Sequence, residues 1–141
     1  MDTKQFLTFK IEDVIYAIDI LDIESIERLG NITRVPKAPK PTMGAMNLRG
    51  NIIPIISFRQ KLGLDKGSLN DEMRIIVLES QDERVGLAVD RVLDVETLDL
   101  NVIYIEENNN AIYKRDFIKG VIKNDDGLLV TIIHAVKLME S

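Results

Sequence analysis

Side chains able to do chemistry are few in this chain, and they are scattered. His134 is the only histidine, and there is no cysteine. A transition-metal site draws its ligands mainly from those two types, so none is expected and His134 reads as a strand-to-helix junction or core residue. Asp19 and Asp90 end two similar triplets, Ala17-Ile18-Asp19 and Ala88-Val89-Asp90. Paired carboxylates can divide acid and base work, but at strand ends aspartate more commonly accepts from loop amides, which is the role expected here. Asp125-Asp126-Gly127 has the opening of a calcium loop, yet the apolar residues after it supply no glutamate at loop spacing. It reads as a plain turn. The lone glycines form no phosphate-binding loop. No catalytic, cofactor-binding or metal-binding residue is assigned, and no cofactor is expected.

Arg49 is the remaining candidate. It lies in Asn47-Leu48-Arg49-Gly50-Asn51, followed by the run Ile52-Ile53-Pro54-Ile55-Ile56. A tight turn between two strands needs Gly or Asn where φ becomes positive. Ser57 stands three residues before Gln60, the spacing of a capping box, and Gly63 can close the short helix that follows. The stretch therefore reads strand, turn, strand, short helix. It offers a forked guanidinium donor and no nucleophile, which points to a binding surface. The ordinary alternative is an arginine bonded to carbonyls of its own turn.

The elements around it are mostly strands. Leu7, Phe9 and Ile11 alternate with Thr8 and Lys10, and Val14, Tyr16, Ile18 and Ile20 follow a turn at Glu12-Asp13. Ile20, Ile23 and Ile26 recur every three residues, suggesting a short helical turn, with a strand as the alternative. Pro36, Pro39 and Pro41 make an extended connector; Pro36-Lys37-Ala38-Pro39 fits P-x-x-P but lies between strand signals. Residues 65–71 form a polar boundary. Hairpins are expected over 74–78 with 85–89, and over 117–123 with 128–133 across Asn124-Asp125-Asp126-Gly127. Residues 108–110 read as a loop and 135–140 as a closing helix.

The pattern is doubled. Residues 44–62 and 120–139 both read Gly, strand, Gly-containing turn, strand, helix. Each half holds about five short strands, and closure into a small barrel removes exposed edges. The fold expected is mainly β: two five-stranded barrels packed together, with short helices, approximately 1–66 and 67–141 with strand exchange possible at the boundary. Ile23, Ile26 and Val95 occupy related places in the repeat. They are either core or an apolar groove suited to an amphipathic helix.

Composition narrows the function. At 141 residues and 45% hydrophobic, the chain can bury a core. Its net charge of −5 disfavours nucleic acid. Residues 11–27 carry six acids and no Lys or Arg, whereas 34–40 carry three bases and no acid; patches of opposite sign suit protein partners. The absence of cysteine fits a reducing compartment. No signal peptide is read at the start, and no apolar stretch nears the roughly 20 residues that span a bilayer. A cytoplasmic protein without direct membrane insertion is expected.

These motifs together resemble the CheW family of bacterial chemotaxis coupling proteins. The likeness rests on Asn47-Leu48-Arg49-Gly50 with its Ile-Ile-Pro-Ile-Ile strand, Gln5-Phe6-Leu7-Thr8-Phe9, Tyr16-Ala17-Ile18-Asp19-Ile20-Leu21, Ile32-Thr33-Arg34-Val35-Pro36, the segment from Val85 to Val92, and the hairpin from Lys119 to Ile133. It covers essentially the whole chain. It implies two SH3-like barrels and no catalysis. It also implies partners: the regulatory domain of the histidine kinase CheA, and the cytoplasmic tip of methyl-accepting chemoreceptors in arrays at the inner membrane, docking near the inter-barrel groove. Carried over by motif, the receptor side would involve Ile23, Ile26, Gly44, Arg49 and Val95. Kinase-contact residues are unassigned, with the first barrel the inferred side. Many relatives carry Glu in a V-x-E-I segment; here Ser25 occupies that place in Ile23-Glu24-Ser25-Ile26, so an acidic contact is shifted or lost.

Two other readings compete. One is a CheW-like regulatory domain from a larger chemotaxis protein; a chain starting at Met1, four residues before its first strand, favours a standalone protein. The other is a small β-barrel enzyme, which would need clustered titratable groups.

Overall fold

The computed structural model describes residues 3–30, 32–33, 42–65, 67, 69–104 and 115–140. The proline connector at 36–41 and the loop at 108–110 lie outside them. Along the described residues run β1 (Thr3–Ile11), β2 (Val14–Asp19), β3 (Ile23–Arg28), β4 (Thr42–Leu48), β5 (Asn51–Ser57), α1 (Phe58–Lys61), β6 (Arg74–Ser80), β7 (Glu83–Val89), β8 (Arg91–Asp99), β9 (Ile103–Tyr104), β10 (Ile118–Lys123), β11 (Leu129–Ile133) and α2 (Ala135–Glu140). Ile20–Asp22 is a single 3-10 turn. The spacing of three from Ile20 thus yields one helical turn and then a strand.

The fold is mainly β. One sheet has the order β3-β6-β7-β5-β4 and the other β8-β1-β2-β11-β10-β9. The second exceeds the expected five strands by the two-residue β9. By contacts, residues 23–92 form one unit, and the residues up to 22 form the other with those from 93 onward. A sequential cut into 1–66 and 67–141 does not describe this division. β6 is antiparallel to β3 and β7 parallel to β5, so both belong with the strands before them. β2 is parallel to β11, from Ile15↔Val130 to Ile18↔Ile133. A parallel partner cannot follow through a tight turn, and here it comes from the far end of the chain.

Each unit has its own core. In 23–92, Met46, Ile53, Ile55, Met73, Ile75, Val77 and Ala88 cluster. In the other, Phe6, Ile15, Ala17, Leu98, Ile122, Val130 and Ile132 do so. Central strands are buried on both faces, which is why they read as unbroken apolar runs: Ile75 to Leu78 on β6 and Ile15 to Ile18 on β2. Phe9 and Tyr16 face each other across β1 and β2 with ring centroids 5.7 Å apart. The Thr8 hydroxyl donates to the Asp94 carbonyl at 2.9 Å and accepts from the Asp94 amide at 3.2 Å, tying β8 to β1.

The internal repeat is real in three dimensions. β4–β5–α1 and β10–β11–α2 are both hairpins that run directly into a short helix. Ser57 Oγ accepts from the Gln60 amide at 3.2 Å, capping α1. Gly63 N–H donates to Gln60 O and Leu64 N–H to Arg59 O, the two bonds of a Schellman end. In α2, His134 takes the place of Ser57, with Nδ1 accepting from the Lys137 amide at 3.4 Å.

Candidate functional site

The β4–β5 turn consists of Arg49 and Gly50 alone, since Leu48 pairs with Asn51. Both turn residues have positive φ, +52° and +88°. This is the handedness that matches strand twist in a two-residue hairpin. The positive φ thus falls on Arg49 and Gly50, while Asn51 is already in the strand. For a side-chain-bearing residue that conformation costs about 1 kcal/mol. Asn47 Oδ1 accepts from the Gly50 amide at 3.0 Å and holds the turn. The Arg49 side chain is exposed, and it makes no hydrogen bond or ion pair among the described residues. Beside the turn, Ile52 pairs with Asn47 and is 70% exposed. The isoleucine run, read only as a strand, gave no sign of that exposure.

Gly44 is buried in β4. A Cβ there would collide with the Thr33 carbonyl oxygen and the Ile32 side chain. Thr33 and Ala45 exchange two backbone bonds of 2.8 Å each. The bridge joins the chain just after β3 to β4, the opposite edge of the same sheet. Gly44 thus acts through backbone approach, bringing the two edges together.

Ile23 is half-buried and Ile26 is 44% exposed, both on the edge strand β3. Val95, on β8 of the other unit, is 55% exposed. Ser25 Oγ is buried and has no hydrogen-bond partner among the described residues. Its neighbour Glu24 is paired with Arg84 at 2.9 Å.

Asp19 Oδ1 accepts from the Leu21 amide at 2.9 Å, the loop-amide role expected of it. Asp90 instead pairs with Arg59 of α1 at 2.7 Å. Arg59 also donates to the Asp65 carbonyl, which fixes the segment after the helix. In the other unit, burial raises the Asp22 carboxyl above its ordinary value and Asp19 adds to the rise, while His134, Lys119 and Lys4 oppose it. Asp125-Asp126-Gly127 is a turn organised by Asn124, whose Oδ1 accepts from the amides of Asp126 and Leu128. Among the described residues, no three His, Cys, Asp or Glu side chains are grouped to hold a metal ion. No helix there is long and apolar enough to cross a membrane.

Comparison with known proteins agrees with this architecture. Residues 5–141 match the family model described as CheW-like domain. The chain is 35% identical to the chemotaxis protein CheW of Helicobacter pylori, over 96% of this chain and 81% of that one. It is 33% identical to CheW of Thermotoga maritima, over 96% and 87%. Among solved structures, the scaffolding protein TtCheW of Thermoanaerobacter tengcongensis superposes with a TM-score of 0.82 at 31% identity, covering 94% of this chain and 85% of that one. With two β units, a doubled hairpin–helix pattern and matches of this extent, the chain belongs to the CheW-like family of chemotaxis scaffold proteins and is not an enzyme.

Proposed function

We propose that this chain couples the cytoplasmic tips of chemoreceptors to the regulatory domain of the histidine kinase CheA. It does so in the cytoplasm, within receptor arrays at the inner membrane. The observation that carries the reading is the Arg49 turn: a positive-φ backbone presents an exposed guanidinium that makes no hydrogen bond or ion pair among the described residues. Backbone strain at an exposed cationic side chain supports a recognition role. Ile26 and Val95 add exposed apolar surface of the kind that accepts an amphipathic helix, with Ile23 beside Ile26 and Gly44 shaping β4. Coupling then works through differential affinity: a scaffold that binds one receptor state more tightly biases the kinase toward the matching state, with no bond made or broken.

Titration calorimetry tests this with a receptor-tip fragment and a CheA regulatory domain. Wild type is expected to bind both. Arg49→Glu is expected to lose receptor-tip affinity by about tenfold, keep kinase binding and retain its folded circular dichroism. Val95→Asp should weaken the receptor tip more than the kinase domain. Wild type binding neither partner would sink the coupling role, and an unfolded Arg49→Glu would make the arginine structural.

A further inference from the structure

β3 holds one residue more than β6 opposite it. Ile23 pairs with Leu78 and Ser25 with Val77, so Glu24 is the extra residue of a bulge; Ile26 then pairs with Ile76. In a regular strand, residues three apart face opposite ways. Here the partners of Ile23 and Ile26 are two apart, so the two isoleucines share a face. Ser25 falls on the other, the side of Val77 and the core of this unit, while the unpaired Glu24 lies at the surface with its carboxylate against Arg84. A one-residue slip of such a strand would exchange the faces.

One side chain opposes that slip. Arg84 of β7 stands directly across from Glu79 of β6. Its Nε donates to Glu79 Oε2 at 3.3 Å, and its Nη2 lies 2.9 Å from Glu24 Oε1. A single guanidinium thus ties the bulged residue of an edge strand to the two strands behind it. A forked, planar donor suits two carboxylates at once.

We propose that Arg84 is a positioning residue for receptor docking: by holding Glu24 in the bulge, it keeps Ile23 and Ile26 on one face for the receptor helix. The inference rests on the receptor-docking reading above. Arg84 acts through Glu24 and does not itself meet the partner.

The test is a double-variant cycle in the full chain: Glu24→Gln, Arg84→Met and both together, titrated with the receptor-tip fragment. Each single change is expected to weaken binding about three- to fivefold, the scale of a partly exposed ion pair. The double variant should bind no more weakly than either single. Arg84→Lys should recover part of the loss, and the kinase regulatory domain should bind all variants alike. Losses that multiply in the double variant, single variants that bind like wild type, or equal loss toward both partners would overturn the proposal. Amide hydrogen exchange at Ser25 and Ile26 separates the clamp from the docking reading. Faster exchange in Arg84→Met supports the clamp, and unchanged exchange refutes it whatever the receptor does. Wild type that binds the kinase domain but not the receptor tip refutes the docking reading, and with it the role assigned to Arg84.

Discussion

Both copies of the repeated module send a hairpin strand into a parallel pairing and then into a short helix: β5 beside β7 before α1, and β11 beside β2 before α2. Their helices begin alike, capped by Ser57 in one and His134 in the other. Their turns do not match. The β10–β11 turn is closed by Asn124, which accepts from two backbone amides and donates to Glu96 at 3.3 Å. The β4–β5 turn is two residues long, with a left-handed arginine whose side chain faces outward. One turn consumes its polar side chain in holding itself; the other is held by Asn47, and its Arg49 is exposed and makes no hydrogen bond or ion pair among the described residues. The module supplies a frame twice, and the turn decides whether the frame does anything beyond standing up.

The largest expected effect lies where the two parallel pairings differ. Gly86 pairs with Ile55, and a Cβ there would collide with the Ile55 and Ile75 side chains. The other module carries Ile15 against Val130 at its parallel crossing. Gly86→Val should therefore destabilise the fold by about 3 kcal/mol through overpacking, read by urea unfolding; a loss below about 1 kcal/mol would mean β5 and β7 can part freely. Asn124→Ala should cost about 1 kcal/mol, since the exposed amides of Asp126 and Leu128 exchange a fixed side-chain acceptor for water, without altering receptor-tip binding. Arg49→Gly should behave in the opposite way. Stability stays within about 0.5 kcal/mol of wild type or rises, because glycine accepts positive φ, while receptor-tip affinity falls. If Arg49→Gly instead destabilised like Asn124→Ala, the contrast between the turns would collapse.

The smallest effect concerns the capped end of α2. The folded state raises the pKa of Asp22, so it binds that proton more tightly than the unfolded chain does. Ionisation then works against folding as pH rises through the raised value. Asp22→Asn should be the more stable protein at pH 7, by well under about 1 kcal/mol because the site is partly hydrated. The gain should vanish as pH falls below 3.8, the ordinary aspartate value. Thermal melts of both proteins across that range check the sign.

Local structure was legible in the sequence because local chemistry determines it. The Ser57 cap, the Gly63 helix end, the Asn124 turn and the hairpin over 74–89 all follow from residues within a few positions of one another. The tight turn at Arg49-Gly50 was legible for the same reason, because positive φ and a two-residue span are set by the residues of the turn itself. What escaped depends on distant pairings. The spacing of Ile20, Ile23 and Ile26 gave a helical signal because a 3-10 turn and a bulged strand adjoin there, and a bulge imitates helical spacing. The ion pairs Arg84–Glu24 and Arg59–Asp90 join residues whose closeness only the sheet order creates. Ser25, noted as a departure from the family pattern, has a buried hydroxyl without a partner among the described residues because the bulge pairs it with Val77 on the core side.

The interleaved division of the chain also has a consequence for biogenesis. Residues 23–92 are contiguous and can close their sheet as soon as they leave the ribosome. β1 and β2 are made earlier, yet β2 waits for β11, over a hundred residues later, before its second edge is paired. Such non-local closure is slow. Until it happens, the first hairpin is an apolar strand edge open to other nascent chains, and a strand made long afterwards is the one that covers it.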